Sequence, residues 1–364
     1  GDPEYALKCK DMYKKLGIIA HKSSETLGAK VDKYIVSWRD KRENDHESAL
    51  HFKDYRKDSF LLNACCPRFG SGEAKGMLKE SVRGKDLFIM VDVCNHSLTY
   101  SVNGYTNHMS PDDHYQDLKR IISAATGKAR RINVIMPFLY ESRQHKRSKR
   151  ESLDCALALE ELVAMGVSNI ITFDAHDPRV QNAIPLNGFE TVRPTYQFVK
   201  SLLEKHNDLK IDSEHMMAIS PDEGATERAV YLAGVLNLDM GMFYKRRDYT
   251  TIVNGRNPIV AHEFLGDSVE GKDVLIIDEA SMLSIPLLDS VISSELLDNV
   301  RFLFVGDSSQ IPSIGLGRVF KDMGESGIVP TCTLTKCFRF EEGGASYIST
   351  LTRQGKFYMT EEQQ

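Results

Sequence analysis

From about residue 60 onward, short apolar runs alternate with helical patterns and turns. Candidate strands are LFIMVDV (87–93), INVIMPF (132–138), NIITFD (169–174), MMAIS (216–220), MGMFYK (240–245), VLIID (274–278) and VRFLFVGD (300–307). Between several of them apolar positions recur with helical spacing, as in ESLDCALALEELVAMG and EGATERAVYLAGVLN, and each pattern closes on a Gly or Asn near its end. Strands alternating with helices predict an α/β protein built on parallel sheets. The first sixty residues differ, with helical periodicity interleaved with dense charge in DKYIVSWRDKREND. There is no convincing internal repeat and no low-complexity segment.

Composition narrows the class. A chain of 364 residues has room for two or three domains. Its 41% hydrophobic and 27% charged residues suit a protein that buries a core. The net charge of −5 gives no global attraction to nucleic acid or acidic membranes, so a polyanion site has to come from local clusters. No run approaches the roughly 18 apolar residues of a membrane span, and the start GDPEYALKCKDMYKK lacks a signal-peptide core. A cytoplasmic protein with no membrane partner is the expectation. Of the seven cysteines, Cys65 and Cys66 are adjacent, while Cys332 and Cys337 have no second Cys or His pair nearby, so buried or idle thiols are expected rather than zinc ligands.

In an open parallel sheet, ligands sit beyond the carboxyl ends of the strands. Here the strand ending at Phe138 runs into Arg143, Gln144, His145, Lys146 and Arg147, and NIITF gives way to Asp174, His176 and Asp177. MMAIS leads into Asp222, Glu223 and Gly224, and MGMFY into Lys245, Arg246 and Arg247. Carboxylates and an imidazole can hold Mg²⁺ directly or through water, and cations offset charge on phosphoryl oxygens. The SPDEGATER turn adds a helix N-terminus with Gly224 for close backbone approach. Singly, each residue reads as readily as a solvated loop position, Asp174 as a helix cap, or Asp222 and Glu223 as turn formers. Taken together they favour phosphate handling. No G-x-S-x-G elbow is present to build a serine hydrolase.

The stretches RFGSGEAKG with ESVRGKDLFIM, MPFLYESRQHKR, ITFDAHDPRVQ, ISPDEGATERA and FYKRRD follow in this order. On them, residues from about 15 to 278 resemble ribose-phosphate pyrophosphokinase (PRPP synthetase). The resemblance implies tandem phosphoribosyltransferase-like domains that use ATP and Mg²⁺ to convert ribose 5-phosphate to PRPP, releasing AMP. It implies that Arg143 and Gln144 contact ATP, that His176 places the Mg–triphosphate, and that Asp222 acts at the second metal and the substrate side, with Gly224 in the phosphate turn. Lys245 and Arg247 match loop cations that close over the transferring group. Phe69 and Glu73 match a loop that completes a neighbouring subunit's nucleotide site, which implies a homo-oligomer. His145 departs from the pattern, standing where many members carry Asp, and so do Glu223 and Ala225.

The strand VLIID is where the resemblance changes. In that family an Asp-Asp pair and a Gly-rich loop follow it and cradle the ribose phosphate. Here Asp278 matches the first acid, but Glu279 replaces the second, and Ala280 to Pro286 contain no glycine. Loss of that nest of N–H groups removes the ribose 5-phosphate anchor. From 274 the sequence resembles the RecD-like branch of superfamily 1 helicases. VLIIDEASML is similar to a Walker B segment with Asp278 for Mg²⁺ and Glu279 for the attacking water, FLFVGDSSQIPSIGLG carries Gln310, and LTKCFR carries Arg339. The Walker A near-match GDSVEGKD (266–273) has Asp273 in place of Ser or Thr and precedes a strand, so it is expected to be a decoy. The expectation is a chimera. Residues 1–190 form one phosphoribosyltransferase-like domain and 191–278 a truncated second, while 279–364 form a RecD-like helicase/ATPase fragment continuing the sheet with a RecA-like strand–helix segment. Weakened PRPP synthesis is the first functional reading. A nucleic-acid-stimulated ATPase fragment and a non-catalytic nucleotide-binding relative are the alternatives.

Overall fold

The computed structural model describes residues 16–44, 56–205, 208–221, 226–247, 259–272, 274–277, 280–292, 300–306, 308, 317–329 and 331. They fall into two compact units, one ending at Pro194 and one running from Thr195 to Leu334.

In the first unit the elements follow as β1 (Leu16–Ala20), α1 (Glu25–Asn44), a short hairpin of β2 (Ala64–Cys65) and β3 (Met77–Leu78), and β4 (Asp86–Met90). A second hairpin of β5 (Thr99–Val102) and β6 (Tyr105–His108) leads to α2 (Pro111–Ala125), β7 (Arg131–Met136), α3 (Asp154–Ala164), β8 (Val167–Phe173) and β9 (Gly188–Val192). The sheet is parallel throughout, in the order β1-β4-β7-β8-β9. Alternation along the strands feeds two cores. Leu87, Ile89, Val134 and Met136 pack with Leu118, Ile121 and Ile122 of α2 and Leu159 and Leu162 of α3. Ile18 and Met90 pack with Leu27, Val31 and Ile35 of α1. Helices cover both faces, as a parallel sheet requires.

Local signals place the helices. Ser110 caps α2 in a reciprocal box with Asp113, and Pro111 fills the first helical position, where its missing N–H costs nothing. α3 stops just before Gly166, whose φ of 96° takes the chain out of the helix. Four parts of this unit differ from the sequence reading. β1 lies in the segment read as charged helix, because its five residues LGIIA are too short to outweigh the periodicity that follows. β9 and the two hairpins are likewise too short to register as patterns.

The second unit contains α4 (Thr195–Lys205), β10 (Met216–Ser220), α5 (Thr226–Leu236), β11 (Asp239–Arg247), β12 (Ile259–Gly266), β13 (Val274–Ile277), α6 (Ile285–Ile292), β14 (Arg301–Phe304) and α7 (Val319–Glu325). Its sheet has the order β12-β11-β10-β13-β14, parallel except for the antiparallel β11–β12 edge pair. The junction strand β13 is internal, with Val274–Ile277 paired to Met216–Ile219 on one side and to Arg301–Phe304 on the other. It also reaches both faces: Ile277 packs with Met217, Ile219 and Phe243, and Val274 and Ile276 with Met216. Strand order reverses between β10 and β13, which makes their carboxyl ends the switch-point crevice of this sheet.

Candidate functional site

The carboxyl ends of β7 and β8 build the best-defined polar rim. Beyond β7 the chain turns sharply, with Glu141 at φ 54° and the amide of Gln144 donating to the Glu141 carbonyl at 2.9 Å. Arg143 is exposed on this turn. The Gln144 side-chain amide donates to the Ser152 carbonyl at 2.7 Å, which closes the loop holding the exposed cations Lys146, Arg147, Lys149 and Arg150. As it stands, this side chain shapes the loop.

Beyond β8, Asp174 adopts φ 47°, and its amide donates to the Val192 carbonyl at 3.0 Å. The chain then passes through the exposed His176 to Asp177, which caps a short turn at Pro178–Ala183. Asp177 accepts from the Arg179 amide at 2.9 Å and from its Nη2 at 2.6 Å. Those hydrogen bonds hold its carboxyl down at about 2. His145 joins the two segments. Its Nε2 lies 3.4 Å from an Asp177 carboxylate oxygen, and its ring meets that of His176 edge to face at 5.2 Å. The Nδ1 of His145 is buried and has no hydrogen-bond partner among the described residues.

Phe69 and Glu73 lie on a separate turn, between β2 and β3. The Phe69 amide donates to the Glu73 carbonyl at 2.7 Å, and the Phe69 ring is 51% exposed. The turn is tied down by a residue that sequence reasoning missed. Arg68 forks onto Asp117 of α2, Nη1 to Oδ1 at 2.9 Å and Nη2 to Oδ2 at 3.0 Å. The two positions are 49 residues apart, and no periodic signal links them. Burial pushes the Cys66 and Cys155 thiols up to about 12 and about 11, so both stay protonated.

In the second unit, Lys245 and Arg247 stand on β11 opposite His262 and Ile259 of β12. Asp222, Gly224, Asp278, Glu279, Gln310 and Arg339 lie outside the described residues. Lys272, the lysine of the Walker-like stretch, is buried at the opposite edge. It precedes β13, and its Nζ donates to Asp239 at the start of β11 and to the Ser213 carbonyl ahead of β10. Both partners sit at the amino edge of the sheet, so this lysine is committed away from the carboxyl edge, where open parallel sheets take their ligands. Among the described residues, no group of three or more His, Cys, Asp or Glu side chains is placed to hold a metal ion alone.

Residues 16–166 match the family described as the N-terminal domain of ribose phosphate pyrophosphokinase, and residues 242–362 match an AAA domain. The ribose-phosphate pyrophosphokinase of Staphylococcus epidermidis is 28% identical over 216 residues, covering 58% of this chain and 59% of that protein. The Staphylococcus aureus enzyme is 27% identical with the same coverage. The chain therefore spans 59% of the length of the curated relatives it matches. A solved phosphoribosylpyrophosphate synthetase from Mycobacterium smegmatis aligns over 80% of each chain at 20% identity, with a TM-score of 0.49. By sequence, the chain joins a segment related to the N-terminal domain of ribose-phosphate pyrophosphokinases to a segment related to AAA domains.

Proposed function

We propose that the chain binds Mg·ATP at the carboxyl rim of its first sheet by the chemistry of a ribose-phosphate pyrophosphokinase, and that its transfer of pyrophosphate to ribose 5-phosphate is slow or absent. The observation that carries this reading is the meeting of the β7 and β8 segments through His145, His176 and Asp177, in the unit that bears the pyrophosphokinase match. Arg143 and the cations of its loop serve the phosphates. Asp177 is committed to Arg179, and the resemblance gives His176 as the residue that places the metal. Mg²⁺ retains several waters and takes phosphate oxygens as ligands, so one water-mediated imidazole suits it. The ion supplies charge neutralisation on the triphosphate. The resemblance gives Lys245 and Arg247 as the cations that offset negative charge building on the leaving nucleotide. Asp222, Gly224 and Asp278 form the substrate side of the reading. The half-exposed Phe69 and the neighbouring Glu73 serve the nucleotide site of a second copy in a homo-oligomer.

The weakened transfer rests on the junction. Beyond β13 the Ala280 amide donates to the Val305 carbonyl at 2.8 Å and the Leu283 amide to the Ala280 carbonyl at 3.1 Å. Amides that a phosphate cradle leaves open are thus engaged, the first of them with the segment following β14. The AAA match favours a second reading, an ATPase that releases phosphate, and the resemblance to RecD-like helicases adds stimulation by nucleic acid to it. Asp278, Glu279, Gln310 and Arg339 carry it. The position of Lys272 at the amino edge weighs against it, because the phosphate-gripping lysine of such motors follows a strand. Among the described residues no helix is long and apolar enough to cross a membrane, and the cytoplasmic assignment is part of the proposal.

Product analysis decides between the readings. ATP is incubated with the chain, with ribose 5-phosphate present or omitted and with single-stranded DNA present or omitted, and AMP and phosphate are quantified beside nucleotide affinity. The first reading expects Mg-dependent ATP binding, little AMP, and about tenfold weaker binding in Lys245→Ala or Arg247→Ala, the scale of one charge-assisted contact. Unchanged affinity in both variants sinks it, and DNA-stimulated phosphate release establishes the second.

A further inference from the structure

We propose that Asp117 is a positioning residue, which grips Arg68 from the buried face of α2 and so fixes the turn at 67–76 in the shape that presents Phe69 to a nucleotide. The role of Phe69 rests on the function proposed above. The grip itself is argued from the geometry.

Asp117 is out of place by sequence logic. It shares the inward face of α2 with His114, Leu118, Ile121 and Ile122, and its side chain is 3% exposed. Burying a carboxylate is costly unless it is paired and hydrogen-bonded. Burial pushes its pKa up, but the nearby His21, the hydrogen bond from Arg120 and the charge of Arg68 outweigh that and hold it below the usual carboxylate range. Arg120, one turn along the same helix, already supplies a neutralising partner at 2.6 Å. The fork from Arg68 is therefore not needed to balance the charge. Its consequence falls on the other end, where Arg68 belongs to the turn.

Everything around Arg68 closes that turn. Its backbone bridges to Ala74, and its guanidinium lies over the Tyr100 ring at 4.9 Å. The Gly72 amide donates to the Phe69 carbonyl at 2.9 Å, and the Ser71 hydroxyl donates to the Glu73 carboxylate at 2.9 Å. At Gly76 the hairpin passes so close to α2 that an added Cβ would lie 2.3 Å from the Arg120 carbonyl oxygen. The Asp117 Oδ2 that accepts from Arg68 also lies 3.6 Å from His21 Nε2. His21 Nδ1 accepts from the Ser23 amide, and the Ser23 hydroxyl accepts from the Asp92 amide beyond β4 at 3.0 Å. Asp117 therefore ties the turn to the carboxyl ends of β1 and β4. Such a clamp holds an exposed ring in a fixed place, which isolated surface aromatics do not need.

The test uses the whole chain. It contains one tryptophan, so Trp38→Phe combined with Phe69→Trp places a single indole on the turn. Acrylamide quenching and anisotropy are measured without nucleotide in this parent, in Asp117→Asn and in Arg68→Lys, which keeps the charge and loses the fork. ATP is titrated separately into the chain with Trp38 and Phe69 intact, and into Asp117→Asn and Arg68→Lys made in that chain. The expected result is greater quenching and lower anisotropy in both variants, with ATP binding about tenfold weaker. If Asp117→Asn fails to fold, Arg68→Lys decides alone. Unchanged quenching in the folded variants overturns the proposal, and so does a loosened turn with unchanged ATP affinity. If the chain with Phe69 intact binds no ATP, the nucleotide reading falls, and the quenching comparison still decides the clamp.

Discussion

The two units are both parallel-sheet structures, but they assemble their strands differently. In the first, strand order in the sheet follows strand order in the chain, and helices cover both faces. In the second, β13 must pair on one side with β10, from the stretch resembling the pyrophosphokinase, and on the other with β14, from the stretch resembling a helicase. The join holds because the sheet asks little of a strand body. Four apolar residues in register, Val-Leu-Ile-Ile, serve either neighbour, and the Val305 amide extends the ladder to the Ile277 carbonyl at 2.8 Å. The strand ends are not interchangeable in this way, because chemistry lives in the loops that follow them. A chain can thus keep a sheet while the loops beyond its strands change.

The sharpest way to break this comparison is to weaken the shared strand. Ile277 is fully buried, so Ile277→Ala should cost about 2–5 kcal/mol by cavity formation. Ile89→Ala, equally buried in the first sheet, provides the control. Hydrogen exchange read by peptide should show Ile277→Ala lowering protection in both β10 and β14 while leaving β4 and β7 protected. If β14 keeps its protection, the second sheet is not continuous across the join, and the contrast with the first unit collapses.

A smaller effect separates the units by pH. His114 is wholly buried, and burial lowers its pKa from the usual 6.5 to about 4; the groups facing it are His21, Asp113 and Asp117. Its folded pKa lies below the unfolded one, so the unfolded chain binds the extra proton between these values. Stability is therefore full above about 6.5 and declines as pH falls towards about 4, by at most about 1.4 kcal/mol per pH unit. Among the described residues of the second unit, no histidine is buried in this way. Thermal melts across this range should show the slope in the first transition, and His114→Gln should flatten it.

The same contrast explains what could be read in advance. The core strands β4, β7, β8, β10, β11, β13 and β14 were legible because each is an apolar run between helices or turns. β12 was not, since IVAHEFLG mixes His and Glu into an edge strand. At the candidate site, Arg143, Gln144 and His176 were legible as polar residues following strands. The commitment of Gln144 to the Ser152 carbonyl was not, nor was the Arg68–Asp117 fork. The first runs to a backbone carbonyl eight residues on and the second joins side chains 49 residues apart, and a single sequence carries no mark of either. Asp117 nonetheless left a trace, a charged residue on the face that α2 turns inward.

The smallest effect tests whether the units unfold independently. The Ser110 hydroxyl accepts from the Asp113 amide at 3.2 Å, and the Asp113 carboxylate accepts from the Ser110 amide at 2.9 Å. Ser110→Ala breaks the hydroxyl's half of this exchange and leaves an amide of the first turn without its partner, a loss of about 1 kcal/mol. The change removes no core volume, so it acts on α2 through its end alone. α2 contributes Leu118, Ile121 and Ile122 to the first unit's core, and the loss should appear in that unit's transition. In a two-transition melt followed by calorimetry, only the first unit's midpoint should fall. Equal movement of both midpoints would mean that the units unfold as one cooperative body, and the contrast between them would then describe architecture without describing stability.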